Sequence, residues 1–174
     1  GEELWQSHFG PSWYSFDVGN VHYVVTPMLG GDHAPSYRRS DIIRWLKNDL
    51  AQTDKGKRIV LFNHDLWFWG DDLLFKDKNG EQIDFADYNL DAMIYGHWHN
   101  HYYKQLKSGL HTYCSSTPDK GGIDHGTSCF RIYNADTKGK LSSATRYTYI
   151  DGILTSAYPA EGETVSVPDG KMTV

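Results

Sequence analysis

Gly96-His97-Trp98-His99 follows directly on the apolar run Ala92-Met93-Ile94-Tyr95, placing two imidazoles one residue apart at the end of a predicted buried strand. Neutral imidazole is a good ligand for zinc, manganese and iron. In an extended segment residues i and i+2 project to the same side, so the spacing predicts that His97 and His99 reach one site together. Gly96 allows a sharp backbone exit from the strand and a close approach at that point. A third histidine fits the same plan: His64 ends a second strand-like run, Arg58-Ile59-Val60-Leu61-Phe62-Asn63. Two buried parallel strands deliver their terminal residues to the carboxyl edge of one sheet, where open α/β folds gather their chemistry. An isolated His-x-His in a chain with nine histidines is more often a pair of hydrogen-bonded surface residues. The glycine, the apolar strand behind it and the equivalent strand before His64 turn the reading to a metal site.

Other residues invite functional readings beside plainer ones. Trp67, Trp69 and Trp98 can wall a nucleoside, lipid or sugar group, or simply pack as core or lid. Asn63, next to His64, and His33, in a Gly-rich loop with Asp32, are further candidates for substrate contact; for His33 an ordinary surface loop is the simpler account. Asp124-His125 after Gly121-Gly122 can support His99 from behind, although a plain turn explains it as well. His101 continues the alternation beyond a predicted turn and is expected to face solvent. Cys114 and Cys129 each border a strand-like segment, so one disulfide and two buried thiols are both open, and no CxxC spacing suggests a cysteine-based zinc site.

The ordered set of motifs resembles the calcineurin-like metallophosphoesterases. The late motifs of that family are a strand ending in a ligand histidine and a strand running into G-H-x-H; here they read Val60-Leu61-Phe62-Asn63-His64 and Ile94-Tyr95-Gly96-His97-Trp98-His99. The flanks agree. Residues 9–25, Phe9 to Val25, resemble the hairpin after the family's third motif, and Trp45-Leu46-Lys47-Asn48-Asp49-Leu50 resembles the W-L-x-x-D-L helix before the ligand-histidine strand. The resemblance covers roughly residues 9–134.

It implies an α/β fold: the C-terminal half of a four-layer α-β-β-α sandwich, β-rich after residue 100. Residues 1–150 are expected to form that portion of the domain, and 151–174 a β-like tail or the start of a small further domain. The resemblance also implies a binuclear centre of Mn, Zn or Fe with the ions ~3.5–4 Å apart, where an activated water attacks a phosphomonoester or phosphodiester in line. His64 and His97 would bind one ion and His99 the other. The family's early motifs, D-x-H, G-D-x-x-D and G-N-H-D/E, have no counterpart ahead of Phe9. Asn63-His64-Asp65 is superficially like the last, but Phe62 stands where its glycine belongs. The bridging Asp, the Asn ligand and the catalytic His are therefore expected upstream of Gly1, and no catalytic residue is expected within this numbering. The chain alone is expected to be inactive, to hold no ion or one ion weakly, and to expose a sheet face or edge prone to dimerisation or strand exchange.

Composition sets the bounds. The chain has 174 residues, 39% of them hydrophobic and 22% charged, enough for one sizeable core. The net charge of −5 without a basic cluster argues against a nucleic-acid partner. No apolar run approaches membrane-spanning length, and no signal-peptide pattern precedes Glu2-Glu3-Leu4; Gly1 in place of Met is expected to mark processing or a boundary within a longer chain. Six tryptophans and twelve tyrosines favour a periplasmic or secreted enzyme handling a ring-bearing substrate. Two rivals stand beside the phosphoesterase reading: a mononuclear zinc protein with three histidine ligands, and an aromatic-rich carbohydrate-binding module without chemistry.

The elements that must position these residues follow from periodicity. Two strands, 14–18 and 21–25, flank a Gly19-Asn20 turn. Ser40 is the predicted N-cap of a helix with Ile42, Ile43, Trp45, Leu46 and Leu50 on one face, ending near residues 54–57. Residues 66–82 read as loop, and a short helix near 85–88 leads into the Gly96 strand. Segments 102–106 and 110–115 pair across Lys107-Ser108-Gly109, and 128–133 pairs with 141–149.

Overall fold

The computed structural model describes residues 2–29, 35–117 and 128–148, together with the backbone of 154–156, 164–167 and 170–173. Helix α1 (Glu2–Phe9) precedes the hairpin β1 (Tyr14–Val18) and β2 (Val21–Val25), helix α2 (Arg39–Gln52) and strand β3 (Arg58–Asn63). Two short strands, β4 (Leu74–Lys76) and β5 (Gln82–Asp84), and a 3₁₀ turn over Phe85–Asp87 come next. Strands β6 (Leu90–Tyr95), β7 (Tyr102–Gln105), β8 (His111–Cys114), β9 (Cys129–Ala135) and β10 (Leu141–Thr148) follow, then β11 (Leu154–Ser156), β12 (Thr164–Val167) and β13 (Gly170–Thr173). All the elements described after residue 100 are strands.

The main sheet has six strands in the order β1-β2-β3-β6-β8-β7. The inner pairs β2–β3, β3–β6 and β6–β8 are parallel, while β1 and β7 run antiparallel on the two edges. The mixed sheet and its helices make the chain an α/β protein. The near-continuous apolar runs of β3 and β6 have the composition of strands buried on both faces.

One face carries the larger core. Ile42, Ile43, Leu46 and Leu50 of α2 pack with Val24, Ile59, Leu61 and Met93 of the sheet and with Phe68, Phe75 and Phe85 of the 66–90 segment. Residues 66–82, read above as loop, contain β4 and the turn of its hairpin with β5, because Phe75 and Ile83 are buried and need paired backbone around them. Helix α2 begins one residue before Ser40. The Arg38 amide donates to the Asp41 carboxylate at 2.8 Å, so Asp41 and not Ser40 closes the first turn.

A buried polar tie fixes the hairpin to α2. His22 is 6% exposed; its Nδ1 lies 2.7 Å from Asp17 Oδ1 and its Nε2 lies 2.9 Å from Asp49 Oδ2. Ser15 donates to Asp49 Oδ1 at 2.5 Å, and Lys57 reaches Asp17 Oδ2 at 2.9 Å. Lys57, then His22, holds the Asp17 carboxyl below the usual carboxylate range.

Among the described residues the opposite face is covered only in part. Val21, Val60, Ala92 and Tyr113 are buried there with Leu141 of β10. Towards β1 the cover ends, and an aromatic ladder continues into the open. Ring centroids are 6.2 Å apart for Tyr14–Phe16, 5.1 Å for Phe16–Tyr23 and 6.3 Å for Tyr23–Phe62. Tyr14, Phe16 and Val18 on this edge are exposed. No helix among the described residues is long and apolar enough to cross a membrane.

Candidate metal centre

Strands β3 and β6 are parallel neighbours in a register that pairs Asn63 with Tyr95, so both chains leave the sheet at the same edge. The Gly96 amide donates to the His64 carbonyl at 3.1 Å and ties the two exits together. Beyond Gly96 the chain turns at once. The Trp98 amide donates to the Gly96 carbonyl at 2.7 Å, closing a three-residue turn with His97 at its apex. His97 (φ 63°) and His99 (φ 49°) both take left-handed backbone, uncommon for a residue with a side chain and concentrated at functional turns. The thiol of Cys114, buried beneath the turn, lies 3.3 Å from the same Gly96 carbonyl.

This turn aims His97 at His64. His97 Nδ1 lies 3.2 Å from His64 Nε2, with the rings 83° apart, and 3.6 Å from Asp65 Oδ1. Donor atoms of His64, Asp65 and His97 all lie within 4.8 Å of one another. Two donors on one tetrahedral ion, each at ~2.0–2.1 Å, stand ~3.3 Å apart, so the observed separations suit a shared ion. Two imidazole nitrogens and a carboxylate oxygen are also the donor types that zinc, manganese and iron accept. Both histidines are exposed and Asp65 is half-buried, which leaves the group open to a ligand from solvent.

Asn63 builds the turn that presents this pair. Its Oδ1 accepts the Asp65 amide at 2.8 Å, while its Nδ2 donates to Thr26 Oγ1 at 2.8 Å and to the Pro27 carbonyl at 3.0 Å. The side chain is buried and its hydrogen bonds go to Thr26, Pro27 and Asp65, so Asn63 orients the His64–Asp65 turn.

His99 lies outside the group. The same-side prediction assumed an extended chain through residues 97–99, whereas β6 ends at Tyr95 and both histidines take left-handed backbone. Gly96 itself has no left-handed φ, and a Cβ there would meet His64 Nδ1 at 3.5 Å, an ordinary contact. Asp65 is the candidate donor that the histidine spacing misses; its signal is Asn-x-Asp at a strand end, which an Asx turn folds back. Trp98 packs against Trp69, Tyr95 and Tyr102 with centroids 5.0, 5.2 and 5.6 Å away. Trp67 stacks flat on Phe75 at 3.8 Å. Gly1, His33, Asp124 and His125 lie outside the described residues. His101, predicted to face solvent, instead packs against the antiparallel pair β9–β10, within 3.2 Å of Arg131, 3.4 Å of Thr145 and 3.6 Å of Cys129. Cys114 and Cys129 are separate buried thiols.

A scan against protein-family models finds no match to this chain, and a search of curated proteins likewise finds none.

Proposed function

We propose that this chain supplies part of the metal centre of a hydrolase acting on phosphate esters, in the manner that its G-H-x-H resemblance implies. The carrying observation is the convergence of His64, Asp65 and His97 at the carboxyl ends of two adjacent parallel strands. A divalent ion held there would draw a phosphoryl oxygen and lower the pKa of a water, the two needs of in-line ester hydrolysis. The chain's own residues orient that chemistry. Asn63 fixes the His64–Asp65 turn, and the left-handed apex sets the direction of His97. Exposure of both histidines beside the half-buried Asp65 leaves room for substrate and for the further ligands of a two-ion centre. On this reading those ligands and the catalytic histidine belong to the other half of a four-layer sandwich, upstream of Gly1, which would cover the open aromatic face of the sheet.

A mononuclear site is the second reading, favoured by one observation: the three donors form a single group and His99 stands apart from it.

Loading the chain with Mn²⁺ or Zn²⁺, counting bound ions and then titrating inorganic phosphate tests the proposal. The expected result is one weakly held ion and phosphate retention that requires it, with chromogenic phosphodiester turned over slowly or not at all by this chain alone. A chain that binds the ion yet never retains phosphate, or that binds no ion, overturns it.

A further inference from the structure

A cavity of about 410 Å³ opens beside the metal group and shares Asp65 with it. Its floor is the flat Trp67–Phe75 stack, its rim carries Trp69, and two cations, Arg39 and Lys76, line it. These parts are held together: the Arg39 guanidinium sits 5.0 Å from the Phe75 ring centroid, and its Nη1 donates to the Lys76 carbonyl at 3.3 Å. One of the five guanidinium donors is thus committed, and the fork keeps others to offer. Trp67 has a face covered by Phe75, but Trp69 is 68% exposed and leans on Trp98, the neighbour of His97. An aromatic surface this open, braced by a second indole next to the metal group, is a platform for a flat ligand.

We propose that this cavity binds a nucleotide part of the ester: a planar base laid on Trp69 and a phosphate other than the one under attack drawn to Arg39 and Lys76. The inference rests on the phosphoesterase reading for its place in the reaction, not for the binding itself. A neutral sugar would bring no anion to either cation. An acyl chain would lie against charged walls and gain nothing from a flat indole. The volume lies in the range of small-molecule sites.

The probes are AMP, adenosine and ribose 5-phosphate, titrated by calorimetry into the chain without metal at low salt. AMP is expected to bind at least tenfold tighter than either of the others, and added salt to weaken it because the cations are exposed. Trp69→Ala is expected to weaken AMP roughly ten- to a hundred-fold, the worth of one base stacked on an aromatic ring. Trp69→Phe should restore most of the loss, and the double variant Arg39→Gln, Lys76→Gln should bring AMP down to the affinity of adenosine. Ribose 5-phosphate binding as well as AMP, adenosine binding as well as AMP, or AMP binding unchanged in Trp69→Ala each overturns the proposal. AMP binding through Trp69 in a chain that retains no phosphate on metal would sink the phosphoesterase reading alone. Metal-dependent phosphate retention without AMP binding would sink this proposal alone.

Discussion

Removing the His97 imidazole tests the ligand set most directly. Four-ligand structural zinc sites bind with about 10–16 kcal/mol, or about 2.5–4 kcal/mol per ligand. His97 is one of three donors grouped here, so His97→Ala should raise the dissociation constant for Zn²⁺ or Co²⁺ by about 10²–10³-fold, at about 1.4 kcal/mol per decade. Alanine at φ 63° keeps the left-handed strain of the turn. His97→Gly removes the imidazole and the strain together, on the order of 1–2 kcal/mol, and so separates lost ligation from a damaged turn. Both variants should lose the same affinity while the glycine variant gains stability. His99→Ala should change affinity less than about threefold, about 0.7 kcal/mol on the same scale. Competition against a chromogenic chelator measures each constant, and the visible bands of Co²⁺ report how many nitrogens it holds. His99→Ala losing as much as His97→Ala would refute the reasoning, because it would place His99 in the shell that the left-handed turn excludes it from.

Three further outcomes concern the scaffold. His22→Leu keeps the volume but strips Asp49, only 17% exposed at its side chain, of its ring partner. The Asp17 arm counts for little, being half exposed and bonded to Lys57, so the loss should be about 2–4 kcal/mol in urea denaturation, and a loss under about 1 kcal/mol would contradict a buried tie. Burial pushes the His111 imidazole below its ordinary value, with the Asp91 carboxylate opposing. The unfolded chain then binds the extra proton first, so this contribution is complete above about pH 6.5 and is lost as pH falls through the folded value. His111→Gln should flatten the fall in stability between about pH 7 and 5, and an unchanged slope would remove His111 as its source. Phe85→Ala, at a fully buried ring edge-on to Phe68, should cost about 3–5 kcal/mol by thermal or urea unfolding, and a cost below about 2 would mean that the 66–90 segment does not belong to the core.

Most strands were legible because their signal is local. Gly19-Asn20 between two strand-like runs rich in aromatic and β-branched residues specifies a tight hairpin, and Arg58–Asn63 is too short and too uniformly apolar for a surface helix. What escaped was structure held by distant partners. Residues 74–76 and 82–84 carry little strand character of their own. They pair because Phe75 and Ile83 are drawn into the core under α2. Helix α1 buries none of its residues, so no apolar stripe announces it.

The metal group shows where pattern reading reaches its end. That His64 and His97 meet follows from strand order: two parallel neighbours that stop in register bring their next residues to one edge. Which further donor joins them depends on backbone angles that composition does not encode. An extended chain through residues 97–99 would bring in His99, and a bend at residue 97 replaces it with whatever the β3 exit offers. That exit carries Asn63, whose buried amide folds Asp65 back beside His97. The selection thus passes from a spacing rule to a turn rule one residue past the strand. A mixed imidazole–carboxylate group is also a harder donor set than three imidazoles. It shifts preference from zinc towards manganese, so the relative affinity of the two ions is the quantity that Asp65→Asn should move. Losing the charge should cost Mn²⁺ affinity more than Zn²⁺ affinity. An equal loss for both would mean that the carboxylate orients His97 and does not itself touch the ion.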